Sequence, residues 1–285
     1  MSKVIATDLD GTLFYPKRTR RLISSRSVRF LRKFIDAGNR VVCVTGRNIR
    51  ANNLIIKRLK RPVDFIGCNA SFIVHDGNKI KDDYFNPNDI NPVIEYLESH
   101  YKLRAVWLMS EEKEFLSKYN FDTLFYYIGY NLWSFFQGVY NDKFTISKTG
   151  FIDEINHGKV YKIMVMYGLG EKNKERAKQA NKELREVFKD SVEFSWSGEM
   201  IEITPKGCSK ANGLKFYEEY FNINHSDIYV VGDSGNDISM FNEYKENSFC
   251  MAHAPLSVSK YASHTLKKFK DLENYVMKKE GKIDE

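Results

Sequence analysis

The sequence has little cysteine and no long apolar run. Its four cysteines, Cys43, Cys68, Cys208 and Cys250, are far apart and form no CxxC pair, which argues against a structural zinc site or a disulfide framework. No stretch approaches the roughly 20 apolar residues that a membrane helix needs. The N-terminal segment MSKVIATDLDG lacks the apolar core and small-residue cleavage site of a signal peptide. We therefore expect a cytoplasmic protein with buried, reduced thiols and no membrane partner.

The composition that remains is that of a globular protein. Hydrophobic residues make up 42% of the 285 positions and charged residues 28%, which is too apolar for a disordered chain. The formal net charge of +7 is compatible with nucleic-acid binding, with a basic pocket for anionic substrates, or simply with a soluble surface. Because the basic residues are dispersed, we favour the soluble surface, and the attraction of phosphate next.

Strand and helix patterns alternate near both ends of the chain. Apolar runs predict strands at 4–9, 41–45, 65–67, 71–74, 200–204, 228–233 and 248–252. Apolar residues at helical spacing, with their start and stop signals, predict helices at 24–37, at 209–221, from about 237, and around 268–279. Such alternation predicts an α/β fold with parallel strands.

The middle of the chain has a different hydrophobic pattern. Helical spacing recurs around 90–97 and 177–187, and residues 160–167 alternate like a strand. We interpret residues 83–197 as an α+β domain inserted into a split α/β domain of residues 1–82 and 198–285. Most of a dense aromatic cluster should lie in the core of the inserted domain: Phe115, Tyr119, Phe121, Phe125, Tyr126, Tyr127, Tyr130 and Trp133.

Two carboxylates follow the first predicted strand. In an extended segment, side chains two apart point the same way, so Asp8 and Asp10 should face one site. In open α/β sheets ligands bind beyond the carboxyl ends of the strands, and two like charges this close need a cation or a proton beside them. Mg²⁺ suits such a site because it prefers oxygen ligands, and Gly11 permits the tight turn that follows.

Three further segments lie at predicted strand ends or helix starts. Thr45 and Gly46 can hold a phosphate oxygen through a hydroxyl and a backbone N–H. Lys210, in the first turn of a predicted helix, can neutralise a phosphoryl group, and Lys206 is its rival just before that helix. The segment GDSGND adds two carboxylates and an amide: Asp233, Asp237 and Asn236. This inventory suits phosphoryl transfer, which depends mostly on positioning and charge neutralisation.

In this order, the segments resemble the motifs of the haloacid dehalogenase superfamily of phosphotransferases: DLDGT at 8–12, TGR at 45–47, Lys210 and GDSGND at 232–237. The insertion between the second and third motifs is similar to the α/β cap of the Cof-type branch. The resemblance implies a Rossmann-like, doubly wound parallel sheet with an inserted α+β cap. This chain has Asn69-Ala70 where the branch usually has Asn-Gly, and Met-Ala-His-Ala at 251–254 where it usually has Met-Gly-Asn-Ala. These departures concern substrate preference more than chemistry.

The resemblance also implies a role for each motif residue. Asp8 would attack phosphorus and become the aspartyl phosphate, while Asp10 would protonate the leaving oxygen and then activate water. Mg²⁺ would be held by the Asp8 carboxylate, the Asp10 backbone carbonyl and Asp233. The other motif residues would grip the phosphoryl oxygens (Thr45, Gly46 and Lys210) or support the metal shell (Asn236 and Asp237).

We therefore predict a magnesium-dependent phosphatase for small phosphorylated metabolites such as sugar phosphates. One alternative is a phosphomutase or a dedicated sugar-phosphate phosphatase of the same fold. A second is a regulatory or nucleic-acid-binding protein, which would not need both Asp8 and Asp10. A third is a dehalogenase acting on carbon, which needs neither a metal nor Asp10. The sequence carries no signal for the oligomeric state or for the role of His253.

Overall fold

The computed structural model describes residues 2–16, 22–113, 115–117, 124–125, 127–129, 132 and 144–277. In the predicted aromatic cluster, Phe125 is 69% exposed and lies outside any core, while the burial of most of the cluster stays a prediction. Tyr127 is half-buried, and the rest of the cluster lies outside the described residues, as does the side chain of Phe115. Within the described residues, no helix is both long and apolar enough to cross a membrane.

In the described ranges of the chain, fourteen strands are distributed over two sheets. In chain order they are β1 (Val4–Thr7), β2 (Arg40–Val44), β3 (Asp64–Gly67), β4 (Phe72–His75), β5 (Asn78–Asp82), β6 (Ala105–Ser110), β7 (Phe115–Ser117), β8 (Phe144–Ile146), β9 (Val160–Met166), β10 (Val192–Ser197), β11 (Met200–Pro205), β12 (Ile228–Gly232), β13 (Ser248–Met251) and β14 (His264–Leu266). The helices are α1 (Ser25–Asp36), α2 (Arg50–Leu59), α3 (Pro87–His100), α4 (Lys148–His157), α5 (Glu171–Val187), α6 (Lys210–Tyr220), α7 (Ile238–Glu243), α8 (Leu256–Ser259) and α9 (Glu273–Val276).

The first sheet has eight strands in the order β14-β13-β12-β1-β2-β3-β4-β5. Strands β14 to β3 are parallel, and β4 and β5 continue the sheet in antiparallel fashion. Alternate residues of β1 point into different cores: Ile5 joins the core that contains Phe34 of α1, and Ala6 joins the core that contains Leu214 of α6. Helices therefore cover both faces, which confirms the predicted doubly wound α/β fold.

The second sheet has six strands in the order β10-β11-β9-β6-β7-β8, and all its neighbours are antiparallel except the β7–β8 pair. Helices α3 and α5 supply Leu97 and Leu184 to the hydrophobic core on one of its faces. Strand β9 is buried along its whole length because Ile163 joins that core, whereas Met164 joins the core of the first sheet.

The strand at 200–204 is not where the interpretation of the chain placed it. We assigned it to the α/β domain, from residue 198 onward, but β11 pairs with β10 and β9 in the second sheet. The physical reason is a tight hairpin, in which Ser197 lies opposite Met200 and Gly198 takes a positive φ of 58°. The chain thus leaves the second sheet only after Pro205. The other domain limits remain an interpretation.

Candidate active site

The first strand delivers Asp8 to the carboxyl edge of the first sheet. Strand β1 ends at Thr7, which lies beside Val231 of β12, and the Asp8 N–H donates to the Val231 carbonyl at 2.9 Å. The regular strand ends before Asp8, and residues Leu9–Leu13 form an irregular turn in which Asp10 has extended backbone angles (φ −74°, ψ 124°). Gly11 makes this turn possible with a φ of 77°. A Cβ at Gly11 would lie 2.2 Å from Asp233 Oδ2, so glycine is also required for the close approach of the fourth motif.

Lys210 lies at the centre of the converging motifs. Helix α6 begins at this residue, with the Ser209 side chain accepting a hydrogen bond from the Asn212 N–H. The lysine is 1% exposed, and its Nζ donates to Asp8 Oδ1 and to Asp237 Oδ1, each at 2.7 Å. Its rival Lys206 is exposed and donates to the Lys189 carbonyl instead.

The loop after β12 brings two more carboxylates to the same place. Asp237 Oδ2 accepts hydrogen bonds from the N–H groups of Asp233 and Ser234, each at 2.9 Å, which fixes the turn. Asp233 Oδ1 accepts from the Thr12 hydroxyl at 2.7 Å. Three loops that are far apart in the sequence are therefore joined by side-chain hydrogen bonds around Asp8.

This acidic group has the composition of a divalent-cation site. Oxygen atoms of Asp8, Asp233 and Asp237 lie within 4.8 Å of one another. If all three carboxyls are ionised, the single ammonium of Lys210 leaves two negative charges unbalanced within the group. Hard oxygen donors with an excess charge of this size fit Mg²⁺. The Asp10 side chain is not part of this group, and its predicted contribution through the backbone carbonyl stays a prediction.

Burial and charge shift the pKa values of the two central residues. Burial raises the pKa of the Asp8 carboxyl well above its usual value; the Lys210 ammonium opposes this, and the charges of Asp237 and Asp233 add to it. Burial would lower the pKa of Lys210, but the carboxylates of Asp237 and Asp8 outweigh it and raise that pKa. Lys210 is consequently charged at neutral pH, and Asp8 is the group that would gain most from a nearby cation.

Asp10 occupies the mouth of the site. Its side chain is 47% exposed, and Arg47 donates to both its oxygens, from Nε at 2.6 Å and from Nη2 at 2.8 Å. Thr45 is buried at the end of β2, and its hydroxyl accepts a hydrogen bond from the Arg47 N–H at 3.2 Å. The second motif therefore reaches the first through Arg47, for which a surface position had been equally plausible from the sequence.

The arrangement of these motifs is that of a known enzyme family. A profile of the haloacid dehalogenase-like hydrolases matches residues 5–273 of this chain. The chain belongs to the haloacid dehalogenase-like hydrolase family. The predicted resemblance is thereby confirmed over nearly the whole sequence, and not for the motifs alone.

Relatives within the family are phosphatases with different named substrates. The 5-amino-6-(5-phospho-D-ribitylamino)uracil phosphatase of Escherichia coli is 23% identical, and the match covers 99% of each chain. The phosphoglycolate phosphatase of Thermoplasma volcanium is 24% identical, over 91% of this chain and 89% of its own length. A HAD/COF-like hydrolase from Plasmodium vivax shares the fold, with a TM-score of 0.76 and 20% identity over 97% of this chain and 95% of that structure.

Sequence reasoning missed several residues that contact the motifs of this hydrolase. His253 stacks on Tyr15 with ring centroids 4.0 Å apart, and its Nε2 lies 3.4 Å from Asp233 Oδ2. The Nδ2 of Asn236 donates to the buried Glu202 at 3.0 Å, and its Oδ1 accepts a hydrogen bond from the Ser234 hydroxyl at 2.8 Å. A signal for Glu202 was present: it is a charged residue in the middle of the apolar strand MIEIT.

Proposed function

We propose that this protein is a Mg²⁺-dependent phosphatase that hydrolyses small phosphorylated metabolites through an aspartyl-phosphate on Asp8. The observation that carries the proposal is the cluster of three buried or half-buried carboxylates at the carboxyl edge of the parallel sheet, two of which contact one fully buried lysine. Membership of a hydrolase family, with relatives named as phosphatases, supports the reaction class.

Asp8 is the residue we assign to nucleophilic attack. Lys210 contacts Oδ1, so we assign the attack on phosphorus to Oδ2. In the first half-reaction the new Asp8–phosphorus bond forms as the bond from phosphorus to the alcohol oxygen breaks. In the second, a water oxygen attacks phosphorus and the Asp8–phosphorus bond breaks, releasing phosphate.

Lys210 prepares Asp8 for an anionic substrate. Two anions repel each other, and the ammonium 2.7 Å from Asp8 Oδ1 offsets that repulsion inside a buried site. Because Asp237 shares the same ammonium, the position of Nζ is fixed from two directions. Thr45 and Gly46, at the end of the neighbouring strand, are the groups that we assign to the other phosphoryl oxygens.

Mg²⁺ would be held by Asp8, Asp233 and the Asp10 backbone carbonyl, with Asp237 close by. When bound, the ion would neutralise charge that develops on the phosphoryl oxygens. Thr12 and the N–H groups that contact Asp237 hold these carboxylates in place.

Asp10 is the proposed acid and base. It would give a proton to the leaving alcohol oxygen and take one from the attacking water. Both of its oxygens are engaged by Arg47, so the substrate must take over one of these contacts for the proton to move. Its half-exposed position at the mouth suits a group that meets both an alcohol and water.

The substrate class that we propose is a phosphomonoester of a small polyol or sugar. The Escherichia coli relative is named for a substrate that carries its phosphate on a ribityl chain, which supports this class. The test is a panel of phosphate esters, assayed with and without MgCl₂, with free phosphate and isomerised ester measured separately. Release of phosphate only with MgCl₂ is expected. Isomerised ester would indicate a mutase, and failure to turn over every ester would sink the proposal.

A further inference from the structure

Two charged residues lie in the middle of apolar strands of the second sheet, Lys162 in β9 and Glu202 in β11. They are 2% and 5% exposed, and Lys162 Nζ lies 3.3 Å from Glu202 Oε1. Ile163 lies opposite Ile203 and both belong to the core of the second sheet. Because side chains alternate along a strand, Lys162 and Glu202 point the other way, toward the first sheet.

The pair contacts three loops of the first sheet. Lys162 Nζ donates to the Gly46 carbonyl at 2.6 Å. Glu202 Oε2 accepts from Asn69 Nδ2 at 2.6 Å and from Asn236 Nδ2 at 3.0 Å. Gly46, Asn69 and Asn236 follow the ends of β2, β3 and β12, so one ion pair contacts three strand ends, on both sides of the end of β1.

The contact with Gly46 determines how the second motif meets Asp10. In a planar trans peptide the C=O and the next N–H point in opposite directions. Holding the Gly46 carbonyl on Lys162 therefore directs the Arg47 N–H away from the second sheet, where it donates to the Thr45 hydroxyl. The same Arg47 fixes Asp10 through two hydrogen bonds.

Gly46 packs so closely against Lys162 and Glu202 that a shift of either side chain would move the Gly46 loop. A Cβ at this position would lie 2.8 Å from Lys162 Nζ and 3.2 Å from Glu202 Oε1, so glycine is what allows the pair to approach the loop. Burial would raise the pKa of the Glu202 carboxyl, but Lys162 and the amides of Asn69 and Asn236 lower it to about 2. Glu202 is thus ionised in the folded protein at neutral pH.

We propose that Lys162 and Glu202 are positioning residues, which act from the second sheet to hold the Gly46 and Asn236 loops in the geometry that binds and transfers the phosphoryl group. The inference deepens the proposed function and rests on it. Neither residue contacts Asp8 through any hydrogen bond of the described structure. We assign their effect to the Gly46–Arg47 peptide and to Asn236, together with the attraction between the charges of Glu202 and Lys210.

The test must separate positioning from stability. Removing one partner of a buried pair leaves an uncompensated charge, so single charge deletions destabilise for trivial reasons. The double variant Lys162→Met/Glu202→Gln removes both charges and keeps similar volumes. The matched control is Lys113→Met/Glu154→Gln, which removes another ion pair near the second sheet. Glu154 is buried, as Glu202 is, but no contact of this pair with the motif loops is found in the described structure.

Two readouts are needed, thermal shift on titration with inorganic phosphate in MgCl₂, and kcat and KM on the best ester of the panel. We expect the double variant to melt near the wild-type temperature, to need about 10-fold more phosphate for the same shift, and to lose about 10- to 100-fold in kcat/KM, since small misplacements cost this much. The control should match the wild type in both readouts.

Unchanged phosphate binding and unchanged kcat/KM in a folded double variant would overturn the inference. Should the double variant not fold, Glu202→Asp decides, because it keeps both charges but shortens the reach of the carboxylate to Asn69 and Asn236, and wild-type phosphate affinity there would count equally against positioning. If the wild type turns over no ester, the proposed function fails, while the phosphate titration still judges the positioning of the loops.

Discussion

Two buried charged groups lie on either side of the Gly46 and Asn236 loops, and they differ in charge balance. The acidic group has Asp8, Asp233 and Asp237 around one lysine, and burial raises the pKa of Asp8. In the second group, Glu202 is paired with Lys162 and accepts hydrogen bonds from two amides, and the pKa of Glu202 is lowered to about 2. Burial acts on both carboxyls in the same direction. The pKa values of Asp8 and Glu202 shift in opposite directions because their charged neighbours differ. We therefore associate the unbalanced charge of the acidic group with cation binding, and the balanced charge of the Lys162–Glu202 pair with fixed geometry.

The strongest test of this contrast is Asp8→Asn. The amide keeps the shape and can still accept a hydrogen bond from Lys210, but it cannot attack phosphorus. We expect turnover to fall by more than about 10⁴-fold, as for other covalent nucleophiles, with the fold intact. Steady-state assays and circular dichroism would measure both, with the exposed Asp190→Asn as control. Full activity in the Asp8 variant would remove Asp8 from the mechanism.

Asp10→Asn tests the acid at the mouth of the site. A general acid and base contributes about 10²- to 10⁴-fold, so kcat should drop by this factor. Esters with good leaving groups, such as p-nitrophenyl phosphate, need less protonation and should lose less. An equal loss for good and poor leaving groups would contradict the acid role, although it would leave a role in holding Arg47.

Lys210→Met tests the charge balance of the acidic group. It leaves the buried carboxylates of Asp8 and Asp237 without their counter-charge, which should lower the free energy of unfolding by about 3–5 kcal/mol. MgCl₂ should restore part of this loss. Urea denaturation with and without MgCl₂ measures it, and Lys206→Met, four residues away and exposed, should change stability by less than about 0.5 kcal/mol. Equal losses in the two variants would mean that the ion pairs contribute nothing.

Acid titration tests the ion pair of Lys162 and Glu202, in which the charges are balanced. The pKa of Glu202 is about 2 in the folded protein, below its usual 4.5. The ionised carboxylate therefore stabilises the fold at pH values above 4.5, and this contribution is lost as the pH falls toward 2. The amount is roughly 3 kcal/mol. We expect the stability difference between wild type and Glu202→Gln to narrow below about pH 4.5. A difference that stays constant down to pH 3 would argue against an ionised Glu202, with exposed Glu171→Gln as the control.

Metal binding at the acidic group should also strengthen with rising pH, but over a higher pH range. Because burial raises the pKa of Asp8, a bound cation must displace a proton over the pH range below that pKa. The affinity for Mg²⁺ should therefore rise with pH by up to about tenfold per unit and level off once Asp8 is ionised. Calorimetric titrations between pH 5.5 and 8 measure this, and Asp8→Asn should flatten the profile. A flat profile in the wild type would contradict the raised pKa.

The sequence allowed the main elements of the first sheet to be predicted for a local reason. Strands β1 to β4, β12 and β13 are short apolar runs followed by a turn, and the carboxyl ends of parallel strands meet at one edge. That rule was enough to expect Asp8, Thr45 and Asp233 in one region. The start of α6 at Lys210 followed from its serine cap.

The second sheet was less predictable because its pairing is not local. Strand β11 has the same apolar pattern as the strands of the first sheet, and only the hairpin at Gly198 assigns it to β10. Likewise, VYKIMVM predicts a buried strand but not which sheet covers the face that carries Lys162.

The sequence by itself determined which functional groups could meet at the end of β1, because short local stretches of sequence define both the motif residues and the strand ends. Tertiary structure alone decided which charges are balanced. Arg47 meets Asp10, and Lys162 meets Glu202, across 37 and 40 residues of chain. Side chains so far apart in the sequence pair only when the strands and loops that carry them pack together, and the pattern of one strand does not contain that information.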